Sequence, residues 1–455
     1  MTNNWKKPFF LLLFVTIYVA AYSQNNFRTD TLRPFKTIAA NSVYKTSSFH
    51  QYLWGKNYRA EWATPVRIPV ALLDTMVGGL TPTKAGGGNQ TQSLQLETKA
   101  GKSYSLRSVN KTLGKVIPKE FHGTFIEDLV NDKVSMSHPY AAGTVPVLAE
   151  AAKIFHTNPV YVYLPKQPAL DTFNKKFGNE TYLFEQRLGG DWREAANLGN
   201  FEKFNSTEKL MEKMREDNDH QVDQKAFIKA RLFDMFINDW DRHEDQWEWG
   251  AVEKDDIKVY SPVPKDRDQA YFKYDGVLLK LLFGVSGIKY MQSFKDEIKD
   301  VNTFNYEQRN LDRFFGNEMT LADWQNAAKE LQQEITDNVI ETALKQLPAE
   351  IHPISIPPIA SKLKSRRSHL LEYATTYYNF LAKEVDIPGS EAKEHFSVQK
   401  LNDQETLVNV FKINKEGKQS TTPYYSRTFK QGETDEIRLY GISGSDQYTV
   451  SGNEN

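Results

Sequence analysis

Two clusters of acidic residues stand close together and hold the residue types best suited to chemistry. Residues 239–246 read Asp-Trp-Asp-Arg-His-Glu-Asp-Gln, and residues 266–268 read Asp-Arg-Asp. Carboxylates at this density bind hard cations or move protons. An EF-hand calcium loop needs glycine at its sixth position and glutamate at its twelfth. Counted from Asp239 these are Glu244 and Gly250, so that reading fails. His243-Glu244 opens a zinc-protease pattern, but Trp247 holds the second histidine position. Phosphoryl transfer survives. It needs a carboxylate at the acceptor hydroxyl and oxygen ligands that hold magnesium on the phosphates. Asp241 and Gln246 stand five positions apart, and Asp266 follows across a hairpin. A blander reading also fits: a solvated helix exit, with Arg242 pairing Asp268 across the hairpin. On that view His243 is an ordinary hydrogen-bonding group, and Trp240, Trp247 and Trp249 pack the core.

The segment Asp241-Arg242-His243-Glu244-Asp245-Gln246 resembles the Asp-Arg-His-x-x-Asn catalytic loop of the phosphoinositide 3-kinase family. Ser261-Pro262-Val263-Pro264-Lys265-Asp266 is similar to the metal-aspartate segment of HipA-like and CotH-like kinases. The resemblance covers about residues 60–385 and implies a two-lobed, kinase-like α+β fold, with a β-rich small lobe and a helical large lobe. It implies Asp241 and His243 as catalytic residues, and Gln246, Asp245, Asp266 and Asp268 around a metal. Gly86, Gly87 and Gly88 would cover phosphates, and Glu185 would lie near the hinge. Arg107 or Lys111 would stand for the phosphate-binding lysine, with Glu127 as its partner. The implied cofactor is magnesium or manganese with ATP or a related nucleotide.

The departures open a second class. Gln246 stands where the family has asparagine, and Asp245 is the alternative ligand. Arg107 cannot copy a lysine's point contact. The glycine segment matches neither a Gly-x-Gly-x-x-Gly loop nor a P-loop. One reading is therefore a phosphotransferase acting on an exported protein or small acceptor. The other is a pseudokinase module that binds a partner or nucleotide in an envelope assembly. The whole stretch also resembles the exported N-terminal part of large outer-membrane-associated bacterial proteins.

The elements that must position these residues follow from periodicity. Residues 66–73 form an apolar run that Pro65 and Pro69 mark as an edge strand. A glycine-rich loop over 78–88 follows, then alternating strands over 93–98 and 104–109. Thr124 and Glu127 have capping-box spacing, which explains Glu127 without any ligand. A helix over 145–154 and a strand pair over 160–164 and 181–186 complete the first half. Ala226, Ala230, Phe233 and Ile237 then mark a buried helix, with Leu232 and Phe236 widening its stripe. A strand pair is expected over 247–252 and 257–260. Residues 305–385 read as helices broken at 351–353 and 356–358. The last 60 or so residues read as strands, and 437–446 echoes a glycine–aspartate calcium repeat in a single copy. No internal repeat is visible. The expected organisation is a signal peptide (1–23), a small lobe and hinge (24–188), a large lobe (189–390) and a β-module (391–455).

The first 23 residues carry Lys6 and Lys7, an uncharged run from Phe9, and small residues Ala21 and Ser23 before Gln24. That is the pattern of a cleaved secretory signal, so export to the periplasm or outer membrane is expected. Without cysteine, the exported chain must rely on its core rather than disulfides. A formal charge of -1 argues against a nucleic-acid partner. No later stretch reads as a membrane helix.

Overall fold

The computed structural model describes residues 34–87, 91–111, 133–254, 257–285 and 288–452. The signal segment, Gly88 and the 124–127 helix start with Glu127 lie outside them. The fold is α+β. Its first half centres on a five-stranded antiparallel sheet, ordered Leu80–Gly86, Ser93–Thr98, Ser103–Ser108, Glu180–Gln186, Val160–Leu164. Alternation sends Leu94, Leu96, Leu106, Val162 and Phe184 into one core with Leu73, Met76 and Phe177. Arg107 and Glu185, on the opposite parity, face the other way.

The structure corrects the expected glycine-rich loop. Leu80–Gly86 is a strand, so the loop shrinks to the turn after Gly86, where Gly87 has φ 116. Pairing with Ser93–Thr98, with Leu80 buried at its start, outweighs the flanking glycines. Among the described residues, Val66–Pro69 pairs with Phe35–Ile38, and the run continues past it to the five-stranded sheet, where the Ala71 N–H donates to the Tyr163 carbonyl at 2.8 Å.

The second half wraps the helix Gln224–Ile237, which is buried on nearly every side from Phe227 onward. It packs against helices Leu321–Glu334, His352–Ser368 and Leu370–Leu381. The expected break at 356–358 does not occur, for Pro357 and Pro358 sit inside His352–Ser368. Burial of Ser355, Ile359, Leu363 and Arg366 along one face holds that helix despite its two missing donors. Trp247–Lys254 and Ile257–Pro264 form the expected hairpin, flanked by Phe204–Ser206 and His220–Val222.

The C-terminal strands carry their own small core. Glu384–Pro388, ahead of the expected module boundary, pairs in parallel with Glu436–Tyr440 and so belongs with these strands. The module also grips the helical half: Tyr425 Oη donates to the Asn317 carbonyl at 3.1 Å, and Asn218 donates to Glu394 at 2.8 Å. Among the described residues, no helix is long and apolar enough to cross a membrane.

Candidate functional site

Helix Gln224–Ile237 ends on Asn238, whose φ of 61 turns the chain sharply out of the helix. The acidic segment begins there. Its anchor is Arg242, fully buried, which donates to the Lys265 carbonyl twice at 2.8 Å, to the Gln246 carbonyl at 2.6 Å and to Asp239 at 3.1 Å. These bonds tie the acidic loop to the end of strand Ile257–Pro264. Arg242 therefore does not pair Asp268, as the bland reading expected. Spacing could not show this, because its acceptors are mostly backbone carbonyls.

Beneath the loop lies a charged network that the sequence reading missed. Asp234 is buried and meets Arg231 at 2.8 Å and Arg267 at 2.9 Å. Arg231 also pairs Asp312 at 2.7 Å. The available signal was one carboxylate inside the apolar run Leu232-Phe233-Asp234-Met235-Phe236, a placement costly without buried partners.

Across the cleft, Arg107 from the small sheet and Lys111, three residues past the end of its strand, reach the 266–268 segment. Arg107 Nε lies 2.9 Å from Glu185 Oε1, and its Nη1 pairs with Asp266 Oδ1. Lys111 Nζ lies 2.8 Å from Asp268 Oδ2. Glu185 also accepts from Thr157 at 3.1 Å. Arg107 sits in register with Ser93, and Ser93 with Gly86, so the glycine turn lies at Arg107's end of the sheet. Asp266 has φ 58, a left-handed conformation that a non-glycine residue holds only where its surroundings enforce it.

The electrostatics follow these contacts. Burial alone would raise the Asp266 carboxyl, but Arg107, then Lys111 and Arg242, hold it down at about 2. Burial would lower Lys111; Asp268 and Asp266 outweigh it and raise its value. Burial raises Asp241, His243 pulls it back, and the charges of Asp268 and Asp266 raise it further. That influence places Asp241 in the electrostatic neighbourhood of Asp266 and Asp268. Its side chain is 37% exposed, 4.0 Å from His243.

The other expected metal ligands are placed differently. Asp245 is 89% exposed, and its carboxylate lies 3.9 Å from His243. The Gln246 amide nitrogen meets His243 Nε2 at 3.2 Å rather than Asp266. Trp247 and Trp249 are fully buried, as packing residues should be.

Among the described residues, no three acidic or histidine side chains form a ready metal cage. The donor chemistry still suits a hard cation, since Asp241, Asp266 and Asp268 offer oxygen alone. Arg107 and Lys111 hold two of these three carboxylates. Among the described residues, the cavities beside Arg107 measure about 30 and 10 Å3, room for water.

No protein-family model matches the chain, and no curated protein is detectably similar in sequence. Among solved structures, the proinflammatory kinase CtkA of Helicobacter pylori is similar at 12% identity and a TM-score of 0.32, over 65% of this chain and 95% of that one. The Rio2 kinase–ADP/Mg2+–phosphoaspartate complex of Chaetomium thermophilum is similar at 12% identity and a TM-score of 0.27, over 64% and 71%.

Proposed function

We propose that the chain is an exported, kinase-like phosphotransferase that takes a magnesium-bound nucleotide between the five-stranded sheet and the acidic loop. One observation carries this reading: the sheet cation Arg107 meets Asp266, at the exit of the hairpin that follows Asp241. A kinase needs that meeting of a phosphate-directed cation, a metal-directed carboxylate and an acceptor-directed carboxylate. Asp266 and Asp268 would hold the metal, and Arg107 and Lys111 would turn from these carboxylates to the phosphates. Bound there, the metal would neutralise charge on the transferred group. Asp241, raised by burial, is suited to orient the acceptor hydroxyl and accept its proton. Arg242 holds the two carboxylate segments at a fixed distance. The acceptor would be an exported protein or small molecule of the cell envelope.

A second reading, a non-catalytic nucleotide- or partner-binding module, is favoured by the same ion pairs. Arg107 and Lys111 already neutralise Asp266 and Asp268, and Gln246 is turned to His243. Transfer of radiolabelled phosphate from ATP to envelope proteins separates the two. Transfer that Asp241→Ala abolishes while nucleotide binding persists supports the enzyme. Nucleotide binding without transfer by the wild type establishes the second reading.

A further inference from the structure

The helix Ser48–Trp54 reads Ser-Phe-His-Gln-Tyr-Leu-Trp, more than half of it apolar or aromatic, yet none of its residues is buried. A helix of that composition ordinarily turns its apolar side to the core, because each buried side chain is worth about 1.5–3 kcal/mol. Here Phe49 is 72% and Tyr52 65% exposed, three positions apart and so on one face. Val43, just ahead of the helix, is exposed as well. The helix is nonetheless properly begun, with the Ser47 hydroxyl accepting from the His50 N–H at 3.3 Å.

It packs beside the helix Val277–Val285, which exposes Val277 and Leu281, four positions apart on one of its faces. Two glycines let the chains meet. A Cβ on Gly276 would run into the Gly55 nitrogen and the Trp54 carbonyl carbon, and Gly55 has φ 92. Asn57 and Asp275 lock the crossing: the Asn57 N–H donates to the Asp275 carboxylate at 3.2 Å, and the Asp275 N–H to the Asn57 side-chain oxygen at 3.3 Å. Asn57 is buried and also donates to the Trp54 carbonyl and to Ser135, each at 3.1 Å. Two helices with exposed apolar side chains are thus held in fixed register by buried polar contacts. That is how a surface is presented.

The charge around these side chains has one sign. Residues 41–56 contain Lys45, His50 and Lys56 and no acid, and residues 276–281 contain Lys280 and no acid. All three lysines are exposed, and among the described residues no carboxylate pairs with them. Asp275, ahead of the second helix, is taken up by the Asn57 N–H and by Lys273 at 3.8 Å. Exposed aromatic and aliphatic side chains among unpaired lysines supply both parts of interfacial binding: apolar groups that leave water and cations that meet phosphate.

We propose that these two helices form a docking surface for an anionic lipid membrane, with Phe49, Tyr52, Val277 and Leu281 entering the headgroup boundary and Lys45, Lys56 and Lys280 meeting lipid phosphates. The binding is peripheral and needs no membrane-crossing helix. A second copy of this chain fits less well, because two such patches face to face would bring lysine against lysine. A protein partner fits less well too, since the apolar side chains project into solvent, which suits the disordered acyl boundary better than a complementary pocket. Val277–Val285 follows the 266–268 segment in the chain, so docking would set the acidic cleft at a fixed distance from the lipid surface.

The chain has no cysteine, so Ser48→Cys supplies a single labelling site, on the face of Tyr52. The chain carrying an environment-sensitive fluorophore there is titrated with phosphatidylcholine vesicles containing about one-third phosphatidylglycerol, an anionic surface. A saturable blue shift is expected, with binding about fivefold weaker for Lys56→Gln and for Lys280→Gln, the weight of one lysine at such a surface. Phe49→Ser with Tyr52→Ser should abolish the shift and leave the melting temperature unchanged, because neither ring is buried. The same fluorophore at Thr421→Cys, an exposed position of the C-terminal module, should not respond. No shift, an equal shift on pure phosphatidylcholine, an equal response at Thr421→Cys, or insensitivity to the double change would overturn the proposal. So would a lower melting temperature in the double variant, for the rings would then be covered by another part of the chain. A dimer that the double change dissolves would overturn it as well, assigning the surface to a second copy.

Discussion

Arg107 is the residue on which the two halves of the cleft depend. It neutralises Glu185 within its own sheet and Asp266 across the gap. Arg107→Met leaves Glu185 without its ion-pair partner and removes the strongest counter-charge of Asp266. Urea unfolding should then show a loss of about 2–3 kcal/mol, below the full buried-pair value because Asp266 keeps some exposure. A loss under about 1 kcal/mol would mean that the pairs are incidental. The same contacts set a pH dependence. Asp266 is held at about 2, below its ordinary 3.8. Its contribution is therefore fully present above pH 4 and disappears as pH falls through 2. Wild type should lose about 2 kcal/mol more than Asp266→Asn between those limits. Parallel profiles would contradict the ion pair. At this scale the sequence revealed the acids but not their partners. Asp241, Asp266 and Asp268 stood out by density, and Arg107 by its strand. That Arg107 meets Asp266, and that Arg242 serves as an anchor, depends on contacts distant in sequence or made to backbone.

Elements were legible where periodicity was strong and uncertain where glycine and proline were taken as punctuation. The helix Gln224–Ile237 and the hairpin after it lie where the pattern put them. Leu80–Gly86 and His352–Ser368 were obscured by the glycines and prolines within or beside them, because tertiary burial overrode local preference. Pro357 and Pro358 are exposed inside their helix, so Pro357→Ala should restore a helical donor and raise stability by about 1–3 kcal/mol. A lower melting temperature would mean that the ring itself packs usefully. Glu384–Pro388 was not legible as a partner of the C-terminal strands, because the strand it pairs with, Glu436–Tyr440, lies far along the chain. The link around Ser390 is bonded to Glu394 and to the Arg215 carbonyl, whereas 414–419 is exposed. Trypsin should therefore cut first at Lys415 or Lys418. First cleavage at Lys393, identified by mass spectrometry, would mean that the link is open in solution.

At the scale of the whole molecule, a five-stranded sheet and a helical half face each other across an ionic seam, with a stacked β-module gripping the helical side. The seam is closed by Arg107–Asp266 and Lys111–Asp268. On the proposed function, ligand must part these pairs and take their place. A ligand that binds only the folded chain stabilises it by about 2.7 kcal/mol at a hundredfold excess over its dissociation constant. The decisive measurement is the melting temperature of the chain with and without ATP and magnesium, in wild type and in Asp266→Ala. The account predicts a clear rise for wild type and none for Asp266→Ala, whose metal would lack its carboxylate. No rise in wild type with magnesium or manganese, or an equal rise in Asp266→Ala, would contradict it.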